Sequence, residues 1–189
     1  MSPILGIIAS SRLAAPLVGD FESIATVTVG GGGSLTITFS SIPSDYTHLQ
    51  VRGLMRTDRV STTDYLYIRF NSDTGSNYAY HRLNGNGSSA GSDAGSSTTA
   101  IVFDRAGAAS ATSGIFGGFV MDILDYDNTN KYKVTRSLGG VDTNGGGEIH
   151  IESGLWQNTD AITTIDITSG TGSTFQQYSH FALYGIKEA

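Results

Sequence analysis

The chain has 189 residues, 39% of them hydrophobic and 15% charged, with a formal net charge of −6 and no cysteine. That length suits one well-buried core, and the acidic balance repels nucleic acid and anionic lipid surfaces. Without cysteine there is no disulfide framework, thiolate metal site or cysteine nucleophile, and no apolar run approaches the roughly 18 residues of a membrane span.

Residues 1–20 read as an arm. Ile4, Leu5, Ile7 and Ile8 are apolar, but Ile4–Ala9 is only six residues long and has no Lys or Arg before it. A secretory signal carries a basic start and an apolar core of about 7–15 residues, so the arm is read as a retained, extended part of the working protein. Its apolar residues are suited to pack into a neighbour's groove or to add a strand to its edge. This is favoured over folding back, because an exposed apolar peptide is otherwise an aggregation hazard.

Residues 21–189 read as one all-β domain. Ala25, Val27 and Val29 alternate with Thr26 and Thr28, and after Gly30–Gly33 the alternation resumes with Leu35, Ile37 and Phe39. This period of two predicts half-buried strands. Further strands are predicted at 46–57, 64–71, 76–83, 99–104, 115–125, 131–138, 147–157, 161–168 and 175–186. Period alone leaves a short helix open at Phe119–Leu124. Gly85–Ser97 and Ala106–Gly114, rich in Gly, Ser and Ala, predict exposed loop tips. The fold class is an antiparallel, jelly-roll-like β-sandwich preceded by the N-terminal arm.

Catalytic and metal-binding patterns are weak. The histidines His48, His81, His150 and His180 fall on different predicted strands, and no Gly-x-Ser-x-Gly elbow is present. A hydrolase triad built from distant residues stays open only as a remote third reading. Asp125, Asp127 and Thr129 alternate as in a calcium loop, but Asn130 and Arg136 stand where Gly and Glu are needed. A turn explains them, and no metal or cofactor is predicted. Lys131, Lys133 and Arg136 read as a solvated strand face, and Trp156 as a core residue.

The segment Asp64–Leu83 predicts a hairpin turning at Ser72–Gly75. Cross-strand parity would place Tyr65, Tyr67, Arg69, Tyr78, Tyr80 and Arg82 on one face. Tyr and Arg stack well and are enriched at interface hot spots. The face is therefore a candidate partner or glycan surface, set against a ladder that merely stiffens the sheet.

Several stretches resemble virion structural proteins of tailed bacteriophages. They are SIPSDYTHLQVRG (Ser41–Gly53), YIRFNSDTGSNYAYHRLNGNGSS (Tyr67–Ser89), DILDYDNTNKYKVTRSLGG (Asp122–Gly140), SGLWQNTDAITTIDI (Ser153–Ile167) and QYSHFALYGIK (Gln177–Lys187). The opening ILGIIASS (Ile4–Ser11) resembles the start of such proteins. The resemblance implies a non-enzymatic component of the virion, either a capsid decoration (cement) protein or a fibre-type appendage. Its partners would be other capsid, neck or tail proteins and further copies of itself, with trimers a natural form. A receptor- or carbohydrate-binding module contacting a host-surface glycan is the alternative.

Overall fold

The computed structural model describes residues 19–187. The arm residues Ile4, Leu5, Ile7 and Ile8 lie outside the described residues. The described chain runs through β1 (Phe21–Thr28), β2 (Thr36–Ser40), β3 (His48–Met55), β4 (Thr63–Phe70), β5 (Tyr78–Gly85) and β6 (Ala90–Thr98). It continues through β7 (Ile101–Gly107), β8 (Gly117–Leu124), β9 (Lys133–Asp142), β10 (Gly147–Trp156), β11 (Thr164–Ser169) and β12 (His180–Ile186). Eight strands form one antiparallel sheet in the order β1-β12-β3-β8-β9-β10-β5-β6, and four form a second in the order β2-β11-β4-β7. The two sheets make a β-sandwich.

Alternation in the sequence sets what each strand buries. Ile37 and Phe39 from β2, Leu66, Ile68 and Phe70 from β4, and Ile165 and Ile167 from β11 fill the inner face of the small sheet. Val51, Met121, Ile123, Phe181 and Leu183 meet them from the large one. Trp156 is fully buried, stacked on Tyr78 with ring centroids 6.3 Å apart. Its Nε1–H donates to Asp73 Oδ2 at 2.8 Å.

Four expectations need correction. Residues 64–83 do not form a hairpin, because β4 belongs to the small sheet and β5 to the large. The chain crosses the sandwich between them. Asn71 and Ser72, at φ 51° and 53°, take consecutive left-handed conformations that turn it, and Asp73 then holds the corner by accepting from Gly75 N–H and Asn77 Nδ2–H. Gly85–Ser97 is not a loop tip: most of it forms β6, whose small and polar side chains suit an exposed sheet edge. Ala106–Gly114 is not a loop throughout: Ala106 and Gly107 end β7, and the largely exposed tip that follows is tied down by Arg56, which is 8% exposed. Its guanidinium donates to the carbonyls of Ala111, Thr112 and Ile115 at 2.9, 3.1 and 2.8 Å.

The fourth concerns Lys133, which is fully buried rather than solvated. Its ammonium donates to the carbonyls of Asn128, Lys131 and Thr159 at 2.7, 3.2 and 2.9 Å. Desolvation lowers its pKa, partly offset by nearby Asp160. The Asp125–Asn130 turn thus closes around a cation supplied by the chain itself. Phe119–Leu124, left open between helix and strand, lies within β8.

Candidate functional site

The six Tyr and Arg residues do not share one face. Tyr65, Tyr67 and Arg69 alternate with the core residues of β4 and stay half-buried on the other side of the small sheet. Tyr78 lies wholly in the core, where burial pushes its phenol up to about 12. Tyr80 is half-buried, with desolvation raising its pKa, and Arg82 is 8% exposed. Tyr65 and Arg82 nevertheless meet from different sheets, the Arg82 guanidinium lying 5.4 Å from the Tyr65 ring centre and that of Arg105 at 4.1 Å.

Those contacts are the rim of a larger ionic cluster between the sheets. Arg105 Nη1 lies 3.1 Å from Glu148 Oε1, and Arg82 Nη2 lies 3.0 Å from Asp93 Oδ2. Arg82 Nη1 is 3.8 Å from Glu152 Oε1, and the Arg105 backbone N–H donates to Asp104 Oδ1 at 2.6 Å. Asp104 fits only because Gly139 faces it, since a Cβ there would come within 1.7 Å of Asp104 Oδ2. Among the described residues, nine buried side-chain nitrogen and oxygen atoms have no hydrogen-bond partner, and all belong to Arg82, Asp104, Arg105, Glu148, His150 and Glu152. Two of them, His150 Nε2 and Glu148 Oε2, still face each other at 3.2 Å, and a buried polar atom with no partner at all costs on the order of 1–3 kcal/mol.

The electrostatics follow from that burial. Desolvation pushes the Asp104 carboxyl up to about 8, and desolvation with the neighbouring Asp104 charge pushes Glu152 up to about 9. Burial, with Arg105 and Arg82 adding to it, lowers the His150 imidazole to about 4. At neutral pH the cluster therefore holds two carboxylic acids and a neutral imidazole. That set has acid–base capacity, but Asp104, His150 and Glu152 are 0%, 1% and 3% exposed. It faces the inside of the sandwich. The other histidines do not join it: His48 Nδ1 accepts the Asp125 N–H, His180 Nδ1 bonds Thr28 Oγ1, and His81 is exposed on β5. No three His, Asp or Glu among the described residues are grouped so as to hold a metal ion.

The opposite face of the same strands is the counterpart. Along Gly147–Trp156 the polar Glu148, His150 and Glu152 point inward, while Ile149 and Ile151 stand 57% and 59% exposed. The inward parity is set at the other end of the strand, where Trp156 is buried and Gly154 packs on Ile101. The two-residue pleat carries that parity to the Glu and His positions. β5 behaves alike, with Arg82 inside and Leu83 62% exposed, and so does β9, with Ser137 inside and Leu138 47% exposed. Register joins the outward residues into a continuous row, Leu83–Ile151–Leu138–Val120, across β5, β10, β9 and β8. A second row, Ala79–Leu155–Val134–Leu124, runs parallel to it beyond a polar row containing Arg136 and Asp122.

Comparison with protein-family models, with curated proteins and with solved structures returns no significant match. The outward apolar rows were missed from the sequence because alternation gives the two sides of a strand without saying which is inside. The signal that could have found them is the pairing of Glu-x-His-x-Glu with Trp156 on one parity of β10.

Proposed function

We propose that the chain is a non-enzymatic structural component of a phage particle, a capsid decoration (cement) or fibre-type protein. Its sandwich docks through the N-terminal arm, and it sits on the virion among capsid, neck or tail proteins and further copies of itself. One observation carries this reading: three neighbouring strands bury polar and ionisable side chains and expose aliphatic ones. In an isolated chain that arrangement costs stability on both faces, since the buried polar atoms lose water and the exposed Leu and Ile gain none of their roughly 1.5–3 kcal/mol of burial. Covering the outer face in an assembly recovers the second term. Contiguous exposed apolar rows of this kind mark interaction surfaces, and the small, polar β6 edge discourages unspecific strand pairing at the end of the same sheet.

The receptor- or glycan-binding alternative has less in its favour. Tyr78 is in the core, Arg82 is buried, Tyr80 is half-buried on the inner side and Tyr65 is engaged by two guanidiniums, which leaves Tyr67 and Arg69 as the remainder of the stacking platform. The discriminating experiment is uptake of full-length Ile151→Lys protein into particles. Because Ile151 already faces solvent, the variant should melt within about 2 °C of wild type, consistent with surface substitutions, while uptake falls at least tenfold. Wild-type uptake would overturn the assembly reading.

A further inference from the structure

Beside the Leu83–Ile151–Leu138–Val120 row lies a second feature of the outer face. The next row across the large sheet is Gly85–Ile149–Gly140–Gly118–Leu54, in which three of five positions have no side chain. The result is a hollow of about 870 Å³, floored by Gly140 and Gly118 and walled by Leu138, Val120 and Ile149, with Asn86, Asp142 and the 145–147 turn completing its lining. From Gly85 to Gly118 it crosses four strands, or about 14 Å at the usual ~4.8 Å strand spacing. An extended peptide of about four or five residues covers that distance at ~3.3 Å per residue.

We propose that this hollow receives the Ile4–Ile8 segment of a second copy of the chain. The inference rests on the reading of the arm as a docking peptide. Ile4, Leu5, Ile7 and Ile8 supply four aliphatic side chains over five residues, with Gly6 between the two pairs. Their length matches the hollow, and their chemistry matches its walls. The segment comes from another copy because of where the described chain begins. Phe21 pairs with Ile186 at one end of β1, whereas the hollow's row meets that strand at Thr28, the other end. In a chain folding back on itself, residues 9–20 would cross the polar row of Gln50, Asp122 and Arg136, and any of Leu13, Ala14, Ala15, Leu17 and Val18 resting on it would cover charge. That would desolvate charges beneath apolar residues. Between two copies the same link need not touch the sheet. Each copy then offers one arm and one hollow, a head-to-tail contact that closes into rings or extends in rows.

The test uses two full-length variants and sedimentation velocity. Gly118→Val raises a branched side chain from the floor of the hollow, and the wild-type backbone tolerates it: a Cβ at Gly118 would meet only Leu54 Cδ2 at 3.4 Å and Gly53 O at 3.8 Å, ordinary contacts. Ile7→Asp spoils the arm and leaves the hollow intact. Wild-type protein should show a mass that rises with concentration, and each variant should associate at least tenfold more weakly. An equimolar mixture of the two variants should form dimers and stop there, because it contains one good arm and one good hollow per pair. A wild type that stays monomeric at all concentrations, or a mixture that does not dimerise, overturns the proposal. So does Gly118→Val protein that associates like wild type. If the mixture fails while Ile7→Asp protein is also refused by particles, this inference falls and the arm-docking reading stands. Normal uptake of Ile7→Asp protein removes that reading itself.

Discussion

Asp104 and Glu152 are carboxyls held as acids, and this gives the protein a defined pH response. In the unfolded chain they titrate near their ordinary values of 3.8 and 4.5, but in the sandwich near about 8 and about 9. Between those limits the folded state keeps protons that the unfolded chain has released, so stability falls as pH rises. His150 works in the opposite sense. Its folded value of about 4 lies below the ordinary 6.5, so its contribution is present above pH 6.5 and is lost as pH falls toward 4. Above about pH 7 the unfolded imidazole is largely neutral too, so the interval from 7 to 8 is dominated by the carboxyls. There the melting temperature should fall with rising pH, each carboxyl contributing on the order of 1 kcal/mol per pH unit. Asp104→Asn removes one of the two together with the charge that helps raise Glu152, and should cut the slope in thermal melts across that interval by half or more. A flat wild-type profile, or an unchanged slope in the variant, contradicts the assignment.

Among the elements, Arg56 shows how one side chain fixes a segment whose composition predicts a mobile tip. Truncating it to Ala leaves the carbonyls of Ala111, Thr112 and Ile115 without their donor. The expected cost is about 2–4 kcal/mol, read by denaturant unfolding, together with faster amide exchange confined to residues 108–116. Uniform exchange across the domain would show that the loop has no local anchor. Composition could not reveal this anchor, because the partners are backbone carbonyls some fifty residues away in sequence. The same limit applies elsewhere. Alternation in β1 and β2 was legible, strands were expected where β3–β5, β7 and β9–β12 lie, and so was the burial of Trp156, while period alone left β8 open to a short helix. The β4–β5 crossover was not, because parity arguments hold only for strands that pair, and the Asn71–Ser72 bend takes these into different sheets. For the candidate site, residue types such as Tyr65 and Arg82 were legible but their company was not. Asp104, Arg105, Glu148, His150 and Glu152 come from strands whose inner side is decided by residues at their far ends.

The molecule as a whole is a sandwich whose large sheet is inverted over β5, β9 and β10, with charge toward the core and aliphatic side chains toward solvent. The ionic cluster and the apolar rows are two sides of one choice of parity. A covering partner would give that choice a reason, and under the proposal above the arm of a neighbouring copy would cover part of the same face. The claim is checked most directly by carbene footprinting of Leu83, Leu138 and Ile151 in the isolated chain and in assembled particles. Strong labelling of all three in the free chain, with at least fivefold protection on assembly, is the predicted result. Equal labelling in both states would mean that this face stays open to solvent and that assembly, if it occurs, uses another surface.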